Sequence, residues 1–341
     1  MARRAHFVGS LGLEDAETAM SSVATILGDF CSRIPDGETG ERGYWVRWQV
    51  ATFENCDSLE LEVVRETFEG YKDNLKRPFY VIKAGIDPAT IDLGELGYGD
   101  EAIASYATFK ELKASGEISA DVRFQVSIPT PMALLLSFVS PKSQLALEPA
   151  VIQAFKRDLN KIQTTIPLDE LAIQFDVCLE VLGYEGAMEL PFDDVINESV
   201  KRVGELGGEI GRAAEFGIHL CYGDPGHQHV VEPKDLDTSV KFANGIVDAT
   251  SRAVNFMHMP VPKDRNDEAY FSPLKDLSMP AETRLILGLV HHTDGVEGGK
   301  ARIATAEKFV QDFDIATECG FGRRDPGTIS ALLQIHRELC D

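Results

Sequence analysis

Apolar runs of five to seven residues recur along this chain, separated by stretches in which apolar residues return every three or four positions. The first pattern predicts buried strands and the second amphipathic helices; their alternation predicts parallel strands joined by crossover helices. Strands are expected at 6–10, 31–35, 123–129, 171–177, 218–222, 254–259, 285–291 and 315–319, eight in all. Helices are expected at 14–27, 148–164, 193–216, 236–253 and 299–313, with a closing helix at 328–339. That order specifies an α/β fold, a (β/α)8 TIM barrel, as one domain over residues 1–341. A strand-like run at 79–85 has no place among the eight and is assigned to an insertion, residues 50–118, between the second and third barrel strands. No fixed-period repeat, low-complexity tract or Gly/Pro/Ser-rich linker marks a boundary.

Composition narrows the function classes. Hydrophobic residues are 44% and charged residues 26%, enough apolar material for a large core. The formal charge of −22 repels phosphate backbones and anionic lipid surfaces, so nucleic acid is excluded as a partner and a small-molecule substrate is expected. No apolar run reaches the roughly 20 residues of a membrane span, and residues 1–7 lack the apolar stretch of a leader, so the chain reads as cytoplasmic. Neither a monomer nor a homo-oligomer is excluded. The six cysteines are scattered through a long chain, which points to thiols rather than a disulfide framework.

In a barrel of this kind, chemistry sits on the loops at the carboxyl ends of the strands. Here those ends carry reactive groups: Asp36-Gly37-Glu38 after the second strand, Gln174-Phe175-Asp176 at the fourth, and His219-Leu220-Cys221 at the fifth. The sixth ends in Met257-His258, the seventh in His291-His292, and the eighth in Glu318-Cys319-Gly320, followed by Arg323 and Arg324. Residues at i and i+2 of a strand share a face, so His219 and Cys221 can grip one ion, and Cys319 on another strand adds a third donor. Alone, His-x-Cys also describes a core cysteine beside a surface histidine. Solvated loop residues are the competing reading for Asp36 and Glu38, a buried strand-end carboxylate for Asp176, and surface charge for Arg323.

The same residues resemble the catalytic barrel of the cobalamin-independent methionine synthases, within the superfamily that includes uroporphyrinogen decarboxylase. Val8-Gly9-Ser10 is similar to the family's I-G-S, and Gly37-Glu38 with Glu41-Arg42 to its G-E-x-E-R. Asp176 is similar to the Asp of Q-I-D-E-P, although Val177 and Cys178 replace Glu and Pro. His219-x-Cys221 and Cys319-Gly320 are similar to the zinc ligands, and His292 to the histidine of I-H-S.

The resemblance implies a Zn2+ cofactor held by His219, Cys221 and Cys319. Ser10, Glu38, Asp176 and Arg323 would bind substrate, and His292, Asp176 and Asp36 would serve as catalytic groups. The family's glutamate ligand has no counterpart, and His258 is expected as the fourth ligand. A Cys2His2 set around Zn2+ would be neutral where the family's set carries −1, favouring water or carbonyl activation over thiolate attack. Two activities therefore stay open: methyl or alkyl transfer to a zinc-activated thiol, and a zinc hydrolase or lyase acting on a small carbonyl compound. A metal-free binding barrel is a third reading.

Overall fold

The computed structural model describes residues 3–66 and 76–340. Both ends of the expected domain and residues 67–75 of the expected insertion lie outside them. The described residues form nine strands. In chain order they are β1 (Arg33–Pro35), β2 (Leu59–Glu66), β3 (Lys76–Ile82), β4 (Arg123–Pro129) and β5 (Leu171–Val177). β6 (Glu215–Leu220), β7 (Phe256–Pro260), β8 (Arg284–Gly288) and β9 (Asp314–Ile315) complete the set.

Seven of these form one parallel sheet in the order β1-β4-β5-β6-β7-β8-β9. The N-terminal segment takes the eighth place and closes the ring. Ala5 bridges Cys31 on one side and Ile315 on the other, His6 N–H donates to Ile315 O at 2.8 Å, and Ala5 N–H donates to Phe30 O at 2.7 Å. The expected strand at 6–10 is thus held by single bridges at Ala5 and Ser10 rather than a continuous ladder. The fold is that of a TIM barrel.

β5 shows why the chain reads this way: all seven of its residues are buried, as befits a parallel strand covered on both faces. Ala172 of β5, Phe256 of β7, Ile286 of β8 and Ala316 just past β9 form a small apolar cluster separate from the main core. The Arg33 guanidinium lies 4.0 Å from the Phe256 ring centroid and pairs with Glu215 at 2.6 Å. The main core packs the helices against the strands, as in α1 (Ala16–Leu27), which buries Ala19, Met20, Val23, Ala24 and Leu27.

The expected insertion divides in two. The helix Tyr98–Ala114 fills the crossover position before β4, so only the part around β2 and β3 is additional to the barrel. β2 and β3 form an antiparallel hairpin, with Leu59 opposite Ile82. The hairpin is tied down where Ser140 N–H donates to Tyr80 O at 2.9 Å and Ser143 Oγ accepts from Ile82 N–H at 3.2 Å. The run expected at 79–85 is β3, beginning three residues earlier.

Gly217 on β6 sits under the Phe256 ring, and a Cβ there would lie 2.1 Å from ring carbons. Gly217→Ala is expected to destabilise the fold by about 1–3 kcal/mol in urea unfolding, the usual cost of overpacking. A change near zero would show that Phe256 has room to move.

Candidate metal centre and cavity

β6 delivers His219 on the strand and Cys221 just past its end, two residues apart on one face. Cys319 arrives from the loop after β9. One ligand atom from each of the three lies within 4.8 Å of the others, and the two sulfurs are 3.8 Å apart.

The nitrogen that His219 presents follows from a hydrogen-bond chain. His258 Nε2 lies 3.0 Å from the carbonyl oxygen of Thr317, which can only accept, so Nε2 carries the proton. Burial pushes the His258 pKa down to about 4, so the ring is neutral and its Nδ1 is an acceptor. His219 Nδ1, 2.7 Å away, donates to it. Burial also holds His219 well below its ordinary value, which leaves Nε2 of that neutral ring with a lone pair. That Nε2 is buried and has no hydrogen-bond partner among the described residues. It is the kind of orphan a metal ion satisfies.

His258, expected as the fourth ligand, is therefore not brought into the group: both ring nitrogens are engaged, one by Thr317 and one by His219. Sequence spacing places a histidine beside the centre but cannot tell which nitrogens remain available.

The three donors line a pocket of about 890 Å³, mouth included, which also takes in Ser10, Glu38, Trp45, Asp176, Arg77 and Arg323. Glu38 enters in an unusual backbone conformation, φ 47°, with its N–H donating to Asp36 Oδ1 at 2.9 Å. A Cβ at Gly9 would stand 2.3 Å from Glu38 Oε1, so the glycine makes room for the carboxylate. Burial, then the charges of Asp176 and Asp36, raise the Glu38 pKa well above the carboxylate range. Burial pushes Asp176 up to about 7 against the opposing hydrogen bonds from Gln174 and Trp45. Ser10 Oγ accepts from Gly322 N–H at 3.2 Å.

Of the other expected site residues, Arg323 lines the pocket while Asp36 and His292 do not. Asp36 does not line the pocket; its Oδ2 accepts from Arg42 at 2.8 Å and from Ser105 at 2.7 Å, so it braces the Glu38 turn. Arg323 lines the pocket and is paired with Asp224 at 3.1 Å. His292 is half-buried and outside the pocket wall. Its neighbour His291 is the buried one, with Nε2 donating to Val261 O at 2.9 Å and Nδ1 3.5 Å from Glu318. Glu318 also faces His229 at 3.4 Å, and burial pushes its pKa up to about 8. Sequence reasoning passed over Cys178, whose thiol is the largest influence raising the Cys221 pKa, as well as Arg77.

Comparison with solved structures finds the same fold in B12-independent methionine synthases and in a methyltransferase. A B12-independent methionine synthase from Shewanella sp. W3-18-1, in complex with selenomethionine, is 13% identical, with 98% of this chain and 97% of that one covered and a TM-score of 0.60. A putative vitamin-B12 independent methionine synthase from Listeria monocytogenes is 15% identical over 95% and 86%, with a TM-score of 0.52. A methyltransferase from Methanosarcina mazei is 12% identical over 99% and 94%, with a TM-score of 0.55. At these identities the likeness establishes the fold. No family model and no curated protein matches the sequence.

Folded Asp176 titrates near 7 against an ordinary value of 3.8, so between these values the native state binds more protons than the unfolded chain. Stability is expected to fall as pH rises from about 4 to about 7, by on the order of a few kcal/mol, with raised Glu38 adding in the same direction. Urea unfolding across that range should show the loss in the native chain and a flatter profile in Asp176→Asn. An unchanged slope in the variant would contradict the assignment.

Proposed function

We propose that this protein transfers a methyl or other alkyl group to a substrate thiol at a zinc site made by His219, Cys221 and Cys319. The observation that carries the reading is the unpartnered Nε2 of His219 beside two sulfurs at the strand ends of a methionine-synthase-like barrel. Three protein donors with a fourth position left exchangeable is the composition of catalytic rather than structural zinc sites. Bound there, zinc would lower the pKa of an incoming thiol and so supply a nucleophile at neutral pH.

The chain's own residues account for the rest. His258 holds His219 in the tautomer that keeps Nε2 available. Glu38 and Asp176, at one side of the pocket, suit the ammonium of an amino-acid thiol; that cation would draw both carboxyls back toward the charged form. Ser10, between Glu38 and Gly320 in the pocket wall, suits the carboxylate of the same substrate. Proton delivery stays with a histidine after β8: the family resemblance gives it to His292, and its buried neighbour His291, 3.5 Å from Glu318, is the alternative, neither lining the pocket of the two sulfurs.

The hydrolase or lyase reading drew its support from a neutral two-histidine ligand set. With both nitrogens of His258 engaged, two thiolates and one imidazole are left, a set equally neutral around Zn2+, so charge does not separate the two readings; the carboxyls of Glu38 and Asp176, suited to an amino-acid ammonium, favour transfer.

Purified protein is expected to carry about one zinc, and Cys221→Ser and Cys319→Ser are each expected to lose most of it by elemental analysis. Full zinc in both variants would end the proposal. His258→Ala is expected to keep the fold and weaken metal affinity about 10- to 100-fold, the usual effect of removing the partner that orients a ligand imidazole. Unaltered affinity would show that His258 does not orient His219.

A further inference from the structure

We infer that Arg77 makes this pocket a binding site for an anionic group, a carboxylate or phosphate, carried by a substrate. The inference rests on the alkyl-transfer reading for the identity of the pocket, but the anion site itself needs no metal.

Arg77 is the second residue of β3 and so belongs to the hairpin added to the barrel, yet it lines the pocket that holds Cys221 and Cys319. It is 9% exposed. Its Nη1 donates to Ser137 Oγ at 2.9 Å, and its Nε is buried without a hydrogen-bond partner among the described residues. None of the ion pairs of the described residues includes Arg77. Among the described residues Arg33 pairs with Glu215, Arg302 with Asp294 and the second arginine of the pocket, Arg323, with Asp224, while Arg252, buried without an acid, donates instead to the carbonyls of Ala253, Ile210, Gly211 and Ala214; Arg77 has Ser137 alone.

The sequence holds 55 acidic against 33 basic residues, so a buried arginine lacking a carboxylate runs against the abundance of partners. Burying a guanidinium unpaired is costly, and folding tolerates it where a ligand completes the pair. With Nη1 taken by Ser137, the Nε and Nη2 edge remains, the edge that grips carboxylate or phosphate through two parallel hydrogen bonds.

The surroundings agree. Burial brings the Arg77 pKa down to about 10, which leaves it cationic at neutral pH, and the neighbouring charges that act on it are Cys178 and Arg47. Arg47, exposed and outside the pocket wall, adds a second positive charge near Arg77. The hairpin is anchored to the barrel through Tyr80 and Ser140, which holds Arg77 in place. Cys178 links it to the metal donors, since its thiol contacts that of Cys221. The pocket therefore carries both signs, carboxyls at Glu38 and Asp176 and a cation at Arg77 in the same wall as Cys221 and Cys319, so a thiol that carries an anion finds a partner for it there.

The test titrates the cobalt-substituted protein with 3-mercaptopropionate, 2-mercaptoethyl phosphate and neutral 2-mercaptoethanol, reading the thiolate-to-cobalt charge-transfer band. At least one anionic thiol is expected to bind about tenfold or more tightly than the neutral one, and whichever does so identifies the group. Arg77→Gln should erase that preference while leaving 2-mercaptoethanol affinity unchanged, and Arg77→Lys should restore part of it. Equal binding of all three thiols, or a preference that survives Arg77→Gln, would overturn the inference.

If no thiol yields a band, the transfer reading fails separately, and the anion site is read in metal-free protein by thermal unfolding. Phosphate or propionate should then raise the midpoint of the native chain above that in chloride of equal ionic strength, and not that of Arg77→Gln. No difference between the two chains would refute the site.

Discussion

The structure depends most on a hydrogen-bond chain running from the carbonyl of Thr317 through His258 to His219. It joins the exit of β9, β7 and β6 across the barrel, and every link is buried. A carbonyl at one end fixes the proton on His258, and that fixes the proton on His219. The far nitrogen emerges neutral and unprotonated, aimed at two thiols. A polar chain inside a barrel is tolerated because each group is satisfied; breaking one link would strand a buried donor or acceptor at a cost of about 1–3 kcal/mol. The one group left unsatisfied, His219 Nε2, is the one that the proposed chemistry uses.

Around that centre the pocket sorts charge by position. Asp176 lies close enough to Glu38 to raise its pKa, and the confinement of Glu38 depends on the bare backbone of Gly9 and on Asp36, which braces the turn from behind. Arg77 comes from a hairpin with no part in the barrel. The barrel thus supplies His219, the two thiols and the carboxyls, and the hairpin supplies a cation. The acidic balance of the whole chain does not reach into this corner.

Much of the barrel was legible because buried parallel strands read as continuous apolar runs, β5 being the clearest. The helix Tyr98–Ala114 was not, because Gly99, Ser105 and charged residues interrupt its apolar positions. β2 escaped notice for a different reason: apart from Leu59 its residues are exposed, so neither face carries a burial pattern. His219, Cys221 and Cys319 could be read as a group since two share a strand face and the third ends another strand. His258 was expected as a ligand from its place at a strand end, and that place does not reveal how ring nitrogens are spent. His291 and His292 differ by one residue, and at a strand end one step changes which side chain turns inward. Arg77 and Cys178 left no local signal, since what singles them out is a missing acid and a facing thiol, both set by tertiary packing.

The central claim is that one metal ion sits between His219, Cys221 and Cys319. Zinc-edge X-ray absorption on the purified protein tests it most directly. The account predicts two sulfur neighbours at about 2.3 Å and imidazole nitrogen at about 2.0–2.1 Å. A shell of oxygen and nitrogen alone, or protein that takes up no stoichiometric zinc, would contradict it.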